Sequence, residues 1–184
     1  MRRETAIYRR RATVALGSSQ DGQSVVELAV SLVILMLLLA AAMDFGLLYS
    51  DRLAISNGAR VGVRWATKNP TNWSASATPD STTIEGQIQI AGGTGNIPND
   101  DSHIAINYYD VNVGAQTLTL CGAFSQANDA FQAAAGYTQA TCVLKGHVIE
   151  VVVNYDYPVL TPSIRSLFGN TVLVKVAAAM VEEV

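Results

Sequence analysis

An almost unbroken apolar run near the N-terminus limits what this 184-residue chain can fold into. From Leu28 to Met43 every residue except Ser31 is apolar, and further apolar residues flank this run between positions 25 and 49. A helix that crosses a bilayer needs about 20 mostly apolar residues, at a rise of about 1.5 Å per residue. The run therefore predicts a transmembrane helix over about residues 25–48.

The charged residues on the two sides of this run differ in sign. Residues 1–22 contain five arginines and two acidic residues, whereas residues 23–184 contain seven Lys or Arg and thirteen Asp or Glu, a formal net charge of −6. The positive-inside rule then predicts a cytoplasmic N-terminus and a C-terminal part in the periplasm or outside the cell. We expect membrane lipid around the helix and, because the outer part is acidic without basic clusters, no nucleic-acid partner.

The helical pattern continues beyond the apolar run, because no proline occurs between Asp44 and Thr67 and Pro70 is the first residue that disfavours helix before it. We expect one helix of about forty residues, roughly 60 Å long. Small and apolar residues spaced by three and four predict one narrow face that packs closely against another helix or a sheet. That helix packing face consists of Ile55, Ala59, Gly62 and Ala66, and the opposite face carries Asn57, Arg60, Arg64 and Lys68.

From about residue 104 the apolar residues alternate, which is typical of half-buried strands. In residues 147–157 the alternation places one set of side chains towards a core: Ile149, Val151, Val153, Tyr155 and Tyr157. Further strands are predicted over 104–113, 117–121 and 172–181. Residues 69–102 are rich in loop-forming residues, and Ile84, Ile88 and Ile90 indicate a short strand among them. Residues 123–136 predict a short helix that ends at Gly136.

The only two cysteines, Cys121 and Cys142, both fall in the part predicted to lie outside the cytoplasm. One disulfide between them is the expected arrangement there, and it would contribute about 3 kcal/mol of stability; two separately buried thiols are the alternative. The overall prediction is an α+β fold, in which a long N-terminal transmembrane helix extends out of the membrane into a small, mainly antiparallel sheet domain with one disulfide. The predicted segments are a basic leader (1–22), the long helix (23–68) and an extracytoplasmic domain (69–184).

The start of the apolar run combines a glycine and a carboxylate, at Gly22 and Glu27. One interpretation is that Glu27 is an interfacial charge among the lipid headgroups. Another is that a protease cuts after Gly22, which removes all five arginines and makes Gln23 the new N-terminus. The new α-amino group then lies at the same end of the helix as Glu27. In a stack of such helices, the amine of one subunit can neutralise the carboxylate of its neighbour.

The pattern Gly-x-x-x-x-Glu before an apolar helix resembles the processing site of type IV prepilins. The following stretch, "DFGLLYSDRLAISNGARVGVRWA" (44–66), is similar to the TadE-like family of Tad (Flp) pilus systems, as is, less closely, the stretch 147–184. The resemblance implies a pseudopilin or minor pilin-like subunit, cut after Gly22 by a prepilin peptidase. Its implied partners are other pilin-like subunits and the Tad inner-membrane assembly complex. The implied roles are processing for Gly22 and Gln23 and assembly for Glu27.

The sequence predicts no enzyme, no cofactor and no metal site. His103 and His147 stand alone, without a nucleophile motif or carboxylates at ligand spacing. Asp100 and Asp101 offer oxygens to a cation, but a solvated turn is the favoured interpretation.

Two other functions stay open at this point. Ala40 and Ala42 form a small-x-small pattern after the apolar run, so an ordinary signal peptide cut near Ala42 would release an exported binding domain with no role in a pilus. The same domain could also remain tethered by an uncut anchor. An enzyme of the cell envelope is the least favoured alternative.

Overall fold

A single helix, α1 (Gln20–Ala66), runs for 47 residues at the start of the computed structural model, which describes residues 20–93 and 97–182. The predicted long helix is confirmed, and it begins slightly before the predicted limit. Most of the predicted leader (1–22) lies outside the described residues. The chain divides into two compact units, one ending at Leu39 and one beginning at Ala40, and α1 contributes to both.

Five antiparallel strands form one sheet in the spatial order β3-β2-β1-β4-β5. Their bounds are β1 (Ile104–Asn112), β2 (Thr117–Ser125), β3 (Ala130–Ala133), β4 (Val148–Pro158) and β5 (Thr171–Val181). Three short helices complete the described elements: α2 (Ile84–Ala91), α3 (Gln139–Cys142) and α4 (Pro162–Phe168). A long apolar helix followed by an antiparallel sheet with one disulfide confirms the predicted α+β class.

The core lies between one face of the sheet and the two helices α1 and α2. From Ile104 to Tyr108 on β1 every second side chain is buried, and each of these three residues pairs with a buried residue of β4, as in the pair Ile106 and Val151. The alternation predicted for β4 is confirmed, except that Tyr155 is only half-buried and Val152 on the other face is also buried. The residues of α1 and α2 in the same core are Ile55, Ala59, Val63, Ala66, Ile84 and Ile88.

The short strand predicted around Ile84, Ile88 and Ile90 is wrong, because these residues form α2. Thr83 caps this helix by accepting a hydrogen bond from the backbone N–H of Gly86 at 3.2 Å. Ile84 and Ile88, one turn apart, are fully buried, whereas Ile90 is exposed. The two buried isoleucines are thus the pair spaced by one helical turn.

The short helix predicted over 123–136 is also wrong. Strand β2 continues to Ser125, a turn follows, and β3 pairs back so that Phe131 lies opposite Phe124. Asp129, just before β3, has a φ of 47°, in the left-handed region that ends a turn. Gly136 has a φ of 88° and precedes α3 instead of ending a helix.

Candidate functional site

The N-terminal part of α1 presents apolar side chains on all sides. Every residue from Gly22 to Leu39 is exposed, including large apolar residues such as Leu28 and Leu38. A helix of a soluble domain buries one apolar stripe, whereas a helix that is apolar all round needs an apolar environment. Among the described residues, this is the one helix long and apolar enough to cross a membrane. The chain is thus compatible with single-pass membrane anchoring.

The three residues predicted to act in processing and assembly, Gly22, Gln23 and Glu27, all lie in the first turns of α1. Gln23 and Glu27 are four residues apart and therefore lie on the same face of the helix. A Cβ atom added at Gly22 would meet no other atom within 4 Å. A glycine inside a helix costs about 0.5–1 kcal/mol relative to alanine. No contact among residues 20–93 and 97–182 explains this glycine.

The predicted packing face of α1 is buried against α2 and the sheet: Ile55, Ala59, Gly62 and Ala66. Two glycines of α1 let α2 approach closely. A Cβ added at Gly62 would overlap the side chain of Ile88, and one added at Gly58 would lie 2.6 Å from the Ile88 carbonyl oxygen. Asn57, next to Gly58, donates a hydrogen bond from Nδ2 to the carbonyl oxygen of Ala91 at 3.1 Å. It thereby satisfies one of the carbonyl groups that the end of α2 leaves unpaired.

Asp44 marks the point at which α1 meets the rest of the domain. Although it directly follows the apolar run, it is only 8% exposed. The backbone N–H of Thr161 donates to its Oδ2 at 3.1 Å, and the hydroxyl of Tyr157 donates to its carbonyl oxygen at 3.4 Å. The neighbouring Phe45 is exposed. Asp44 therefore ties the loop after β4 to α1, a role that sequence patterns could not indicate because its partners lie more than a hundred residues away.

The predicted disulfide between Cys121 and Cys142 is confirmed, with a Cα–Cα distance of 5.6 Å and both residues fully buried. His147 lies beside it, with Nδ1 2.8 Å from the carbonyl oxygen of Cys142 and Nε2 3.3 Å from Oδ1 of Asp110. Tyr137 donates its hydroxyl to the other oxygen of Asp110 at 3.0 Å. These side chains connect the disulfide-closed segment to β1, which gives His147 a structural role.

Glu85 on α2 is a fully buried carboxyl group that the sequence analysis did not single out. Its Oε2 accepts a hydrogen bond from the backbone N–H of Ser74 at 3.1 Å, and among the described residues its Oε1 has no hydrogen-bond partner. Burial raises the pKa of Glu85 from 4.5 to about 7, a change that the charge of Asp129 reinforces. Its charge at neutral pH therefore affects the stability of the domain.

The acidic turn before β1 uses its carboxylates to hold the loop together. Asp100 accepts hydrogen bonds from Ser102 and His103. Burial by itself would raise the pKa of Asp100, but these hydrogen bonds outweigh it and lower the pKa to about 2. Asp101 accepts from the backbone N–H of Gln126 at 2.6 Å. Across residues 20–93 and 97–182, no three His, Cys, Asp or Glu side chains are grouped so that they could hold a metal ion.

Residues 22–64 match the family model described as TadE-like protein, which confirms the family resemblance over that segment. The match begins at Gly22 and covers the apolar run, Asp44 and most of the packing face. No curated protein and no solved structure matches the chain. The family match indicates a protein associated with the Tad pilus.

Proposed function

We propose that this chain is a pseudopilin or minor pilin-like subunit that takes part in the assembly of a Tad (Flp) pilus at the bacterial inner membrane. The N-terminus faces the cytoplasm, α1 crosses the membrane once, and the sheet domain lies outside the cytoplasm. The subunit serves adhesion or biofilm formation through the pilus and is not itself an enzyme. Its partners are a prepilin peptidase, other pilin-like subunits and the inner-membrane assembly complex.

The observation that supports this proposal most strongly is the start of α1. The family match begins at Gly22, and the only ionisable side chain between that residue and Met43 is Glu27. The segment after Gly22 is exposed and apolar on all sides within this chain. Such a helix suits either lipid or a bundle of like helices, and a subunit that moves from the membrane into a filament needs both.

Glu27 has a defined part in this proposal. Removal of residues 1–22 creates an α-amino group at Gln23, about 6 Å along the axis from Glu27. When helices stack with a stagger of about one turn, the amine of one subunit lies beside the Glu27 carboxylate of the next. An ion pair within lipid is favoured because each charge alone is costly there. The pairing therefore favours association and fixes the stagger between neighbouring subunits.

The processing step is tested by Gly22→Leu, with Gly46→Leu as the matched control. Both glycines lie exposed in α1, and a Cβ at either position would meet no atom within 4 Å, so we expect neither change to disturb packing. We expect Gly22→Leu to retain the leader, visible on a denaturing gel as a larger chain, whereas the control is trimmed normally. Normal trimming of the Gly22 variant would contradict cleavage at this position.

The assembly step is tested by Glu27→Ala in cells that make pili. Removing a charge from an apolar helix leaves membrane insertion intact or improves it, because the desolvation cost of the carboxylate disappears. We expect the variant to be inserted and trimmed but to give few or no pili by electron microscopy. A normal number of pili would rule out the pairing between amine and carboxylate.

A further inference from the structure

The connection between β4 and β5, residues 159–170, reaches α1 at Asp44, just after the apolar run. The backbone N–H of Thr161 donates a hydrogen bond to Oδ2 of Asp44 at 3.1 Å. The hydroxyl of Tyr157, near the end of β4, donates to the carbonyl oxygen of Asp44. Helix α4 (Pro162–Phe168) follows Thr161 directly. The connection therefore lies at the level of Asp44 along the axis of α1.

Asp44 itself falls within the length of helix that a bilayer covers. About 20 residues span the hydrocarbon layer of roughly 30 Å, and a span that begins at Leu28, just after Glu27, extends to Leu47. Asp44 would then lie three residues inside the outer boundary, where an unpaired carboxylate is costly. The hydrogen bond from Thr161 lowers this cost, and it can do so only if the connection also reaches the boundary.

Two exposed leucines lie at this end of the β4–β5 pair, one in the connection and one at the third residue of β5. Leu160, next to Thr161, is 54% exposed, and Leu173 near the start of β5 is 63% exposed. Arg165 in α4 donates from Nε to the carbonyl oxygen of Val159 at 2.6 Å, which keeps a positive charge near Leu160, the next residue. Apolar side chains next to a basic residue are typical of segments that lie in the interface between headgroups and acyl chains.

We propose that the β4–β5 connection and the start of β5 insert into the outer interface of the bilayer, with Leu160 and Leu173 as the apolar contacts. The partner of this surface is lipid, and the connection gives the domain a second attachment to the membrane besides α1. The domain is then held against the bilayer until the subunit leaves it. This inference rests on the proposed single-pass anchoring by α1.

Position-specific fluorescence on the full chain in phospholipid nanodiscs tests the inference. A cysteine introduced by Leu160→Cys is the only free thiol, because Cys121 and Cys142 are paired, and it is labelled with an environment-sensitive dye. Lipids that carry a doxyl quencher near the headgroup report whether the dye lies in the interface. Val113→Cys is the control for a label surrounded by water, since Val113 is 82% exposed. It follows the last residue of β1, at the opposite end of the sheet from Pro158.

We expect the dye at position 160 to emit at shorter wavelength than the dye at 113 and to lose intensity when doxyl lipids are present. Equal emission and no quenching at both positions would overturn the inference. A dye at 160 that is shielded from water but not quenched by doxyl lipids would also overturn it, since a protein surface would then cover the leucines. Leu35→Cys, deep within the apolar run, separates the two proposals when the doxyl group lies deep in the acyl chain. A label there that such lipids do not quench contradicts the membrane anchor itself.

Discussion

Replacing the buried acid by Glu85→Gln should make the chain more stable at neutral and alkaline pH. Because burial raises the pKa of Glu85 from 4.5 to about 7, the folded chain holds a proton that the unfolded chain has already lost between these two values. Unfolding in this window releases a proton, so the stability contributed by the neutral form is complete below about pH 4.5. It declines as the pH rises to about 7 and is then constant.

The size of the effect follows from the pKa change. One pKa unit corresponds to about 1.4 kcal/mol, so a change from 4.5 to about 7 gives on the order of 3 kcal/mol between pH 4 and pH 8. Glutamine at position 85 keeps an oxygen that accepts the Ser74 N–H but never ionises. We therefore expect the variant to exceed the unmodified chain in free energy of unfolding by up to about 3 kcal/mol at pH 8, and to match it closely at pH 4.

Denaturant unfolding of the detergent-solubilised chain at several pH values between 4 and 8.5, followed by near-ultraviolet circular dichroism, measures this difference. The signal reports on the core around Glu85, because Trp73 stacks on Phe124 with ring centroids 5.2 Å apart. Glu150→Gln is the matched control, since it removes a carboxylate from the half-buried opposite face of the sheet. If the unmodified chain and Glu85→Gln lose stability in parallel between pH 5 and pH 7, burial does not control the ionisation of Glu85.

Two further changes test the packing of the domain. Gly62→Ala forces a Cβ against Ile88 and should lower the free energy of unfolding by about 1–3 kcal/mol. In the control, Gly46→Ala, the added Cβ meets no atom, so this free energy should be unchanged or slightly higher. Thermal melting measures the difference between the two variants. Reduction of the disulfide between Cys121 and Cys142 should lower the free energy of unfolding by about 3 kcal/mol, seen as a lower melting temperature with reductant. An unchanged melting temperature after verified reduction would contradict a stabilising role.

The sequence allowed correct prediction of elements whose signals are local and continuous. The apolar run and the regular spacing of small residues indicated α1, and strict alternation indicated β4. The error at α2 has a different origin. Three isoleucines at spacings of four and two fit either a helix or a strand, and what favours the helix is the space that Gly58 and Gly62 leave on α1.

The same distinction applies to the candidate site. Gly22, Gln23 and Glu27 form a local pattern, so they could be proposed as candidates without a structure. The contact between Asp44 and Thr161 and the burial of Glu85 could not be predicted, because each depends on segments that only the completed fold brings together. These contacts determine how the loop after β4 is held to Asp44 and how the stability of the domain responds to pH.

The intact mass of the chain purified from piliated cells is the most direct test of the central claim, that trimming at Gly22 prepares α1 for assembly. The proposed function predicts a mature chain that begins at Gln23 and lacks all five N-terminal arginines. A chain that still begins at Met1, or one cut after Ala42, in cells with normal pili would contradict it.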